Sequence, residues 1–127
     1  MKTILVDAVN TFVVEGIIYQ PLLNLLEEYS NGKIILTNAN DEQIIKFGLT
    51  NLPYELFTLQ HNPDKTDPIY FKQMFDHFKL QPQDVVYFEH NPEAVKSAQS
   101  VGIMTYHYDP QKKDLVALRN FLNESLL

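Results

Sequence analysis

The 127-residue sequence contains no cysteine and no tryptophan. Without cysteine it can form neither disulfide bonds nor Cys-based zinc sites, and it has no thiol nucleophile. Positive charge is also scarce, because 10 basic residues stand against 16 acidic ones and give a net charge of -6. Proteins that track a nucleic-acid backbone need clustered positive charge, so we expect no nucleic-acid partner.

Long apolar runs are missing as well. None approaches the roughly 20 residues that a membrane span needs, and the N-terminus lacks the apolar core of a signal peptide. We therefore expect a cytoplasmic protein with no membrane partner. Apolar residues make up 45% of the chain and charged residues 20%, which is a globular composition and predicts one domain over residues 1–127.

Apolar segments of strand length alternate with amphipathic helical segments along the chain. Strands are predicted over 2–7, 33–38, 54–59, 84–90 and 103–106, and helices over 21–30, 41–47, 69–80, 91–101 and 114–126. A hairpin is predicted over 12–19, with its turn at Glu15-Gly16. The alternation predicts an α/β fold in which helices cover both faces of a five-stranded parallel sheet.

Polar side chains directly follow three of the apolar strands. Asp7 ends the first strand, Thr37-Asn38 the second and Glu89-His90 the fourth, while Lys65 lies in the loop before the third helix. Ligands of parallel α/β sheets bind outside the carboxyl ends of the strands. One polar residue there is an ordinary strand end, but three on one edge with a lysine between them predict a functional site.

These motifs, taken in chain order, resemble those of the haloacid dehalogenase (HAD) superfamily of hydrolases, most of which are phosphatases. The motifs correspond to Asp7–Thr11, Thr37-Asn38, Lys65–Pro68, and Glu89 to Glu93 followed by Gly102-Ile103. The resemblance covers nearly the whole chain. It implies a HAD-like Rossmannoid three-layer sandwich with strand order 5-4-1-2-3, a flap hairpin at 12–19 and no cap domain.

The resemblance also implies roles for four of these residues. Asp7 would be the nucleophile that forms an aspartyl-phosphate, a covalent intermediate that divides the reaction into two steps. Lys65 would hold Asp7 and neutralise phosphate charge, and Thr37 would donate its hydroxyl to the phosphate, with Asn38 beside it. The expected substrate is a phosphorylated small molecule or macromolecule, and the missing cap leaves room for a covering partner or a homo-oligomer.

Magnesium is the cofactor that the resemblance implies. Its ligands would be Asp7, the backbone carbonyl of Val9 and Glu89, with His90 as a further candidate. His90 stands where a second acid often lies, and Mg²⁺ prefers oxygen ligands. A histidine nitrogen would weaken a magnesium site or favour another divalent metal.

Val9 is the second departure from the family pattern. It replaces the aspartate that, in the phosphatases, protonates the leaving group and later activates water. Loss of such a general acid/base typically lowers the rate by about 10²–10⁴. Two readings therefore stay open, a phosphatase with weakened activity and an inactive HAD-like domain that binds a phosphorylated ligand or a protein. A phosphoacceptor receiver domain is disfavoured, because its acidic pair, acceptor aspartate and lysine are not in place.

Overall fold

The computed structural model describes residues 1–127. In chain order the elements are β1 (Thr3–Asp7), β2 (Val13–Val14), β3 (Ile17–Ile18), α1 (Gln20–Leu26), β4 (Lys33–Thr37), α2 (Asp41–Lys46), β5 (Glu55–Thr58), α3 (Ile69–Phe78), β6 (Val85–Glu89), α4 (Pro92–Ser100), β7 (Met104–His107) and α5 (Leu115–Ser125). None of these helices is both long and apolar enough to cross a membrane.

Five strands form one parallel sheet in the order β5-β4-β1-β6-β7. The labels differ from the predicted 5-4-1-2-3 because the two short strands of the hairpin count as β2 and β3. With the hairpin left out, the five strands have the predicted arrangement. The strand β1 lies in the middle of the sheet, between β4 and β6.

The two faces of the sheet carry separate cores. Alternate side chains of a strand point to opposite faces, and in β1 the fully buried Ile4 and Val6 join one cluster while Leu5 joins the other. The first cluster includes leucines of α1 and α5, and the second includes aromatic residues of α3 and part of α4. The result is a three-layer sandwich, as the sequence predicts.

The flap, residues 12–19, forms as the predicted hairpin. Glu15 and Gly16 both have positive φ, at 52° and 78°, which is the pattern of a tight turn that matches the twist of the paired strands. Gly48, just after α2, lies so close to this turn that an added Cβ would come within 2.4 Å of the Gly16 carbonyl oxygen. The flap tip is therefore packed directly against the end of α2.

The first helix is shorter than predicted. The sequence predicts a helix as far as the Asn31-Gly32 stop, but α1 ends at Leu26. The Ile4 amide donates a 2.9 Å hydrogen bond to the Gly32 carbonyl oxygen, which ties the end of this segment to β1. The chain must leave the helix early to reach that position and enter β4.

Candidate functional site

The carboxyl ends of the three central strands meet at one cavity of about 150 Å³. Asp7 ends β1, Thr37 ends β4 and Glu89 ends β6, and all three are at most 4% exposed. Lys65 reaches the same cavity from the loop before α3 and is 6% exposed. The structure therefore brings together the four residues that the sequence predicts to converge.

Lys65 is at the centre of a buried ionic cluster. Its Nζ lies 2.8 Å from Asp7 Oδ1 and 2.7 Å from Glu89 Oε1, and it also donates to the Leu36 carbonyl oxygen at 3.3 Å. Burial alone would lower the pKa of Lys65, but the negative charges of Asp7 and Glu89 outweigh it and raise that pKa above its usual range. The lysine is therefore held as a cation at neutral pH.

Asp7 is held as an anion by several neighbours. Burial favours its neutral form, but the charge of Lys65 and hydrogen bonds from His90 outweigh burial and lower the pKa of Asp7 well below its usual range. Its Oδ1 accepts from Lys65, and its Oδ2 accepts from the Thr11 hydroxyl at 2.7 Å. The left-handed turn at Asn10, with φ of 67°, precedes Thr11, and asparagine tolerates this conformation better than most residues.

Asn38 positions the loop that carries Lys65. Its Oδ1 accepts a 2.7 Å hydrogen bond from the Lys65 backbone N–H. Thr37 Oγ1 accepts from the Ala39 amide at 3.3 Å, so its hydroxyl hydrogen stays available to a ligand. The Tyr70 hydroxyl contacts the Thr37 carbonyl oxygen at 2.9 Å and so holds the end of β4 in place.

His90 contacts the opposite side of the Asp7 carboxylate. Its backbone N–H donates to Asp7 Oδ2 at 3.1 Å, and its ring Nδ1 hydrogen-bonds to the same oxygen. Nδ1 also lies 3.3 Å from Glu89 Oε2. Hydrogen bonds to Asp7 and then Glu89 raise the pKa of His90 to about 10, against the smaller opposing effect of burial. The ring therefore forms part of the same charged cluster.

Asp7, Glu89 and His90 could together hold a metal ion, since one potential ligand atom from each lies within 4.8 Å of the others. The set fits magnesium poorly, because Mg²⁺ demands nearly ideal octahedral oxygen coordination. One of the three donors is a nitrogen, and the carboxylate oxygens already accept hydrogen bonds from protein donors. Val9 also lines the cavity, and its side chain carries no polar group.

The rim of the cavity includes residues to which sequence reasoning gives no role. Gln43 lies in the first turn of α2, Phe47 directly follows that helix, and His61 lies in the loop after β5. His61 Nδ1 lies 2.7 Å from Asp64 Oδ1, and His61 Nε2 lies 2.7 Å from Gln43 Oε1. The only sequence signal was an acid three residues after the histidine, which is too common a pattern to single out His61.

Comparisons with known proteins show which fold this is. No protein-family model matches the chain, and no curated protein matches it. Among solved structures, a point mutant of a HAD family enzyme from Bacteroides thetaiotaomicron, crystallised with magnesium and inorganic phosphate, has 14% identity and a TM-score of 0.66. The match covers 87% of this chain and 95% of that one.

A D,D-heptose 1,7-bisphosphate phosphatase from Burkholderia thailandensis has 12% identity and a TM-score of 0.64, over 99% of both chains. An uncharacterised protein from Corynebacterium glutamicum has 17% identity and a TM-score of 0.66, over 97% of this chain and 96% of that one. At these identities the likeness shows the fold. The chain has the HAD-like fold in a small, capless-sized form, as its motifs predict.

Proposed function

We propose that this chain is a HAD-type phosphohydrolase domain in which Asp7 attacks the phosphorus of a phosphate monoester. The observation that carries the proposal is the Asp7 carboxylate at the cavity, held as an anion with the Lys65 ammonium 2.8 Å away. An ionised carboxylate paired with a cation is suited to attack phosphorus and to tolerate the negative charge of the phosphoryl group. The neighbours with phosphatase names support this chemistry at the level of the fold.

The hydrogen bonds distinguish the two oxygens of Asp7. Oδ2 accepts from Thr11 and twice from His90, while Oδ1 accepts only from Lys65. Each carboxylate oxygen has about two lone-pair sites, so Oδ1 keeps one for attack. In the first step Oδ1 forms a bond to phosphorus and the bond from phosphorus to the leaving oxygen breaks. Lys65 would neutralise charge on the phosphoryl oxygens, and the Thr37 hydroxyl would donate a hydrogen bond to one of them.

Val9 cannot supply the proton that the leaving oxygen needs. His61 is the titratable side chain that lines the cavity outside the buried cluster, and we assign this proton transfer to it. Asp64 orients the ring through Nδ1. Nε2 would then give up its hydrogen bond to Gln43 and exchange a proton with the substrate. In the second step water attacks phosphorus, His61 accepts its proton, and the bond to Asp7 breaks to release phosphate.

Binding of a phosphorylated ligand without turnover is the second candidate function. It is favoured by Val9 and by the His90 ring, which occupies an oxygen of the proposed nucleophile. In this reading the Lys65 ammonium and the Thr37 hydroxyl would still bind the phosphoryl group. The two functions differ only in whether a bond to phosphorus forms.

Hydrolysis of p-nitrophenyl phosphate tests the proposal. Wild type is compared with Asp7→Asn and with Asp76→Asn, which makes the same change at an exposed position of α3, each with chelator, magnesium or manganese. We expect turnover in wild type and Asp76→Asn and none in Asp7→Asn. Phosphate binding without turnover in wild type would support the second function, and the absence of both would reject both.

A further inference from the structure

We propose that the His90 side chain takes the place of a divalent cation between Asp7 and Glu89, so that the site binds a phosphoryl group without a metal ion. The inference concerns the ligand binding of the proposed function. It does not depend on whether the bound phosphoryl group is then hydrolysed.

The contacts of Asp7 carry the first part of the argument. Its Oδ2 accepts hydrogen bonds from the Thr11 hydroxyl, the His90 backbone N–H and the His90 ring. Three donors exceed the two lone-pair sites of one carboxylate oxygen. A cation could bind Oδ2 only after the ring had moved away, and Lys65 leaves it a single site on Oδ1.

The contacts of Glu89 carry the second part. Its Oε1 accepts from Lys65 at 2.7 Å and from the Tyr87 hydroxyl. Its Oε2 accepts from the Asn91 backbone N–H at 3.0 Å and faces the His90 ring at 3.3 Å. Glu89 is completely buried, so no water competes for these oxygens. Three of the four lone-pair sites of Glu89 are taken by donors from the protein, and the His90 ring lies against the fourth.

The backbone holds the His90 ring in this position. The His90 carbonyl oxygen accepts a 2.9 Å hydrogen bond from His107 Nε2, on the neighbouring strand β7. Asn91 then caps α4 with its side-chain oxygen on the Glu93 amide. His90 is therefore fixed between the end of β6 and the start of a helix, and displacing its ring would break contacts on both carboxylates.

Calorimetric binding of inorganic phosphate to the whole chain tests the proposal, with chelator and with excess magnesium. The variants are His90→Asp, which places an oxygen ligand beside Asp7, and His77→Asn, a control on the exposed side of α3. We expect wild type and His77→Asn to bind phosphate with dissociation constants that differ by less than about threefold between the two conditions. His90→Asp should bind weakly with chelator and gain about tenfold or more with magnesium.

Two outcomes would overturn the proposal. In the first, magnesium raises the phosphate affinity of the wild-type protein by about tenfold or more. In the second, the wild-type protein binds phosphate only when metal is present. If His90→Asp does not fold, as judged by circular dichroism, the wild-type comparison alone decides. Neither overturning outcome touches the role of Asp7 in hydrolysis, and failure of hydrolysis leaves this binding test unaffected.

Discussion

Removing the charge of Lys65 should destabilise the protein strongly. Lys65 Nζ is the shared partner of Asp7 and Glu89, whose side chains are 2% and 0% exposed. Lys65→Met leaves two buried carboxylates with the partly exposed His90 ring as their remaining positive partner, and breaking one buried ion pair typically costs about 3–5 kcal/mol. Domains of this kind have a total stability of about 5–15 kcal/mol, so we expect the free energy of unfolding to fall by about 3 kcal/mol or more.

Urea unfolding followed by circular dichroism measures this change. Lys72→Met, at an exposed position of α3, is the matched control and should stay within about 0.5 kcal/mol of wild type. In a Glu89→Gln background the Lys65→Met substitution should cost at least about 1 kcal/mol less, because one unpaired carboxylate has been removed. A cost of Lys65→Met below about 1 kcal/mol, or strict additivity of the two changes, would refute the buried-cluster reasoning.

Three further predictions follow from the site and the flap. His61→Gln should lower the turnover of p-nitrophenyl phosphate by about 10²–10⁴ without weakening phosphate binding. Adding Val9→Asp to the His61→Gln variant should restore part of the lost turnover. Unchanged turnover in His61→Gln would remove His61 from the mechanism. Because the pKa of His90 is raised from 6.5 to about 10, its contribution to stability is complete below pH 6.5 and is lost as the pH rises toward 10. Urea titrations in chelator should show this decline in wild type and a shallower one in His90→Gln, and equal slopes would contradict the contact. Gly48→Ala should lower the melting temperature, because the added Cβ would overlap the Gly16 carbonyl oxygen and the φ of +72° disfavours alanine. An unchanged melting temperature would mean that the flap moves aside with no loss of stability.

The fold is largely predictable from the sequence because its determinants are local. Segments such as Ile4–Val6 are apolar without interruption, as a strand covered on both faces requires. The convergence of Asp7, Thr37 and Glu89 follows in turn, since the ends of neighbouring parallel strands share one edge. These predictions need only residue type and chain order.

The contacts of His90 and His61 are not predictable in this way. Whether the His90 ring points toward Asp7 or toward solvent depends on the backbone conformation between β6 and α4. It also depends on the hydrogen bond from the His90 backbone N–H to Asp7 Oδ2. His61 lies at the cavity in a loop where residues 60 and 61 both adopt positive φ, and residue type alone does not predict that backbone conformation at two successive positions. The position of Gln43 depends on the capping of α2 by Asn40, and only the packed structure brings its side chain to His61.

The hydrogen bond from the Lys65 backbone to Asn38 has a consequence for engineering. It joins residues 27 positions apart in the chain at a distance of 2.7 Å, so the intervening segment, which contains α2 and β5, is closed at its base. Lengthening the connection between α2 and β5 costs little, about 0.6 kcal/mol for each doubling of a flexible loop, and Asn51 in that connection is exposed. A whole extra domain could therefore be grafted there without moving the charged residues at the base, which would convert this open cavity into one covered by a lid of chosen specificity.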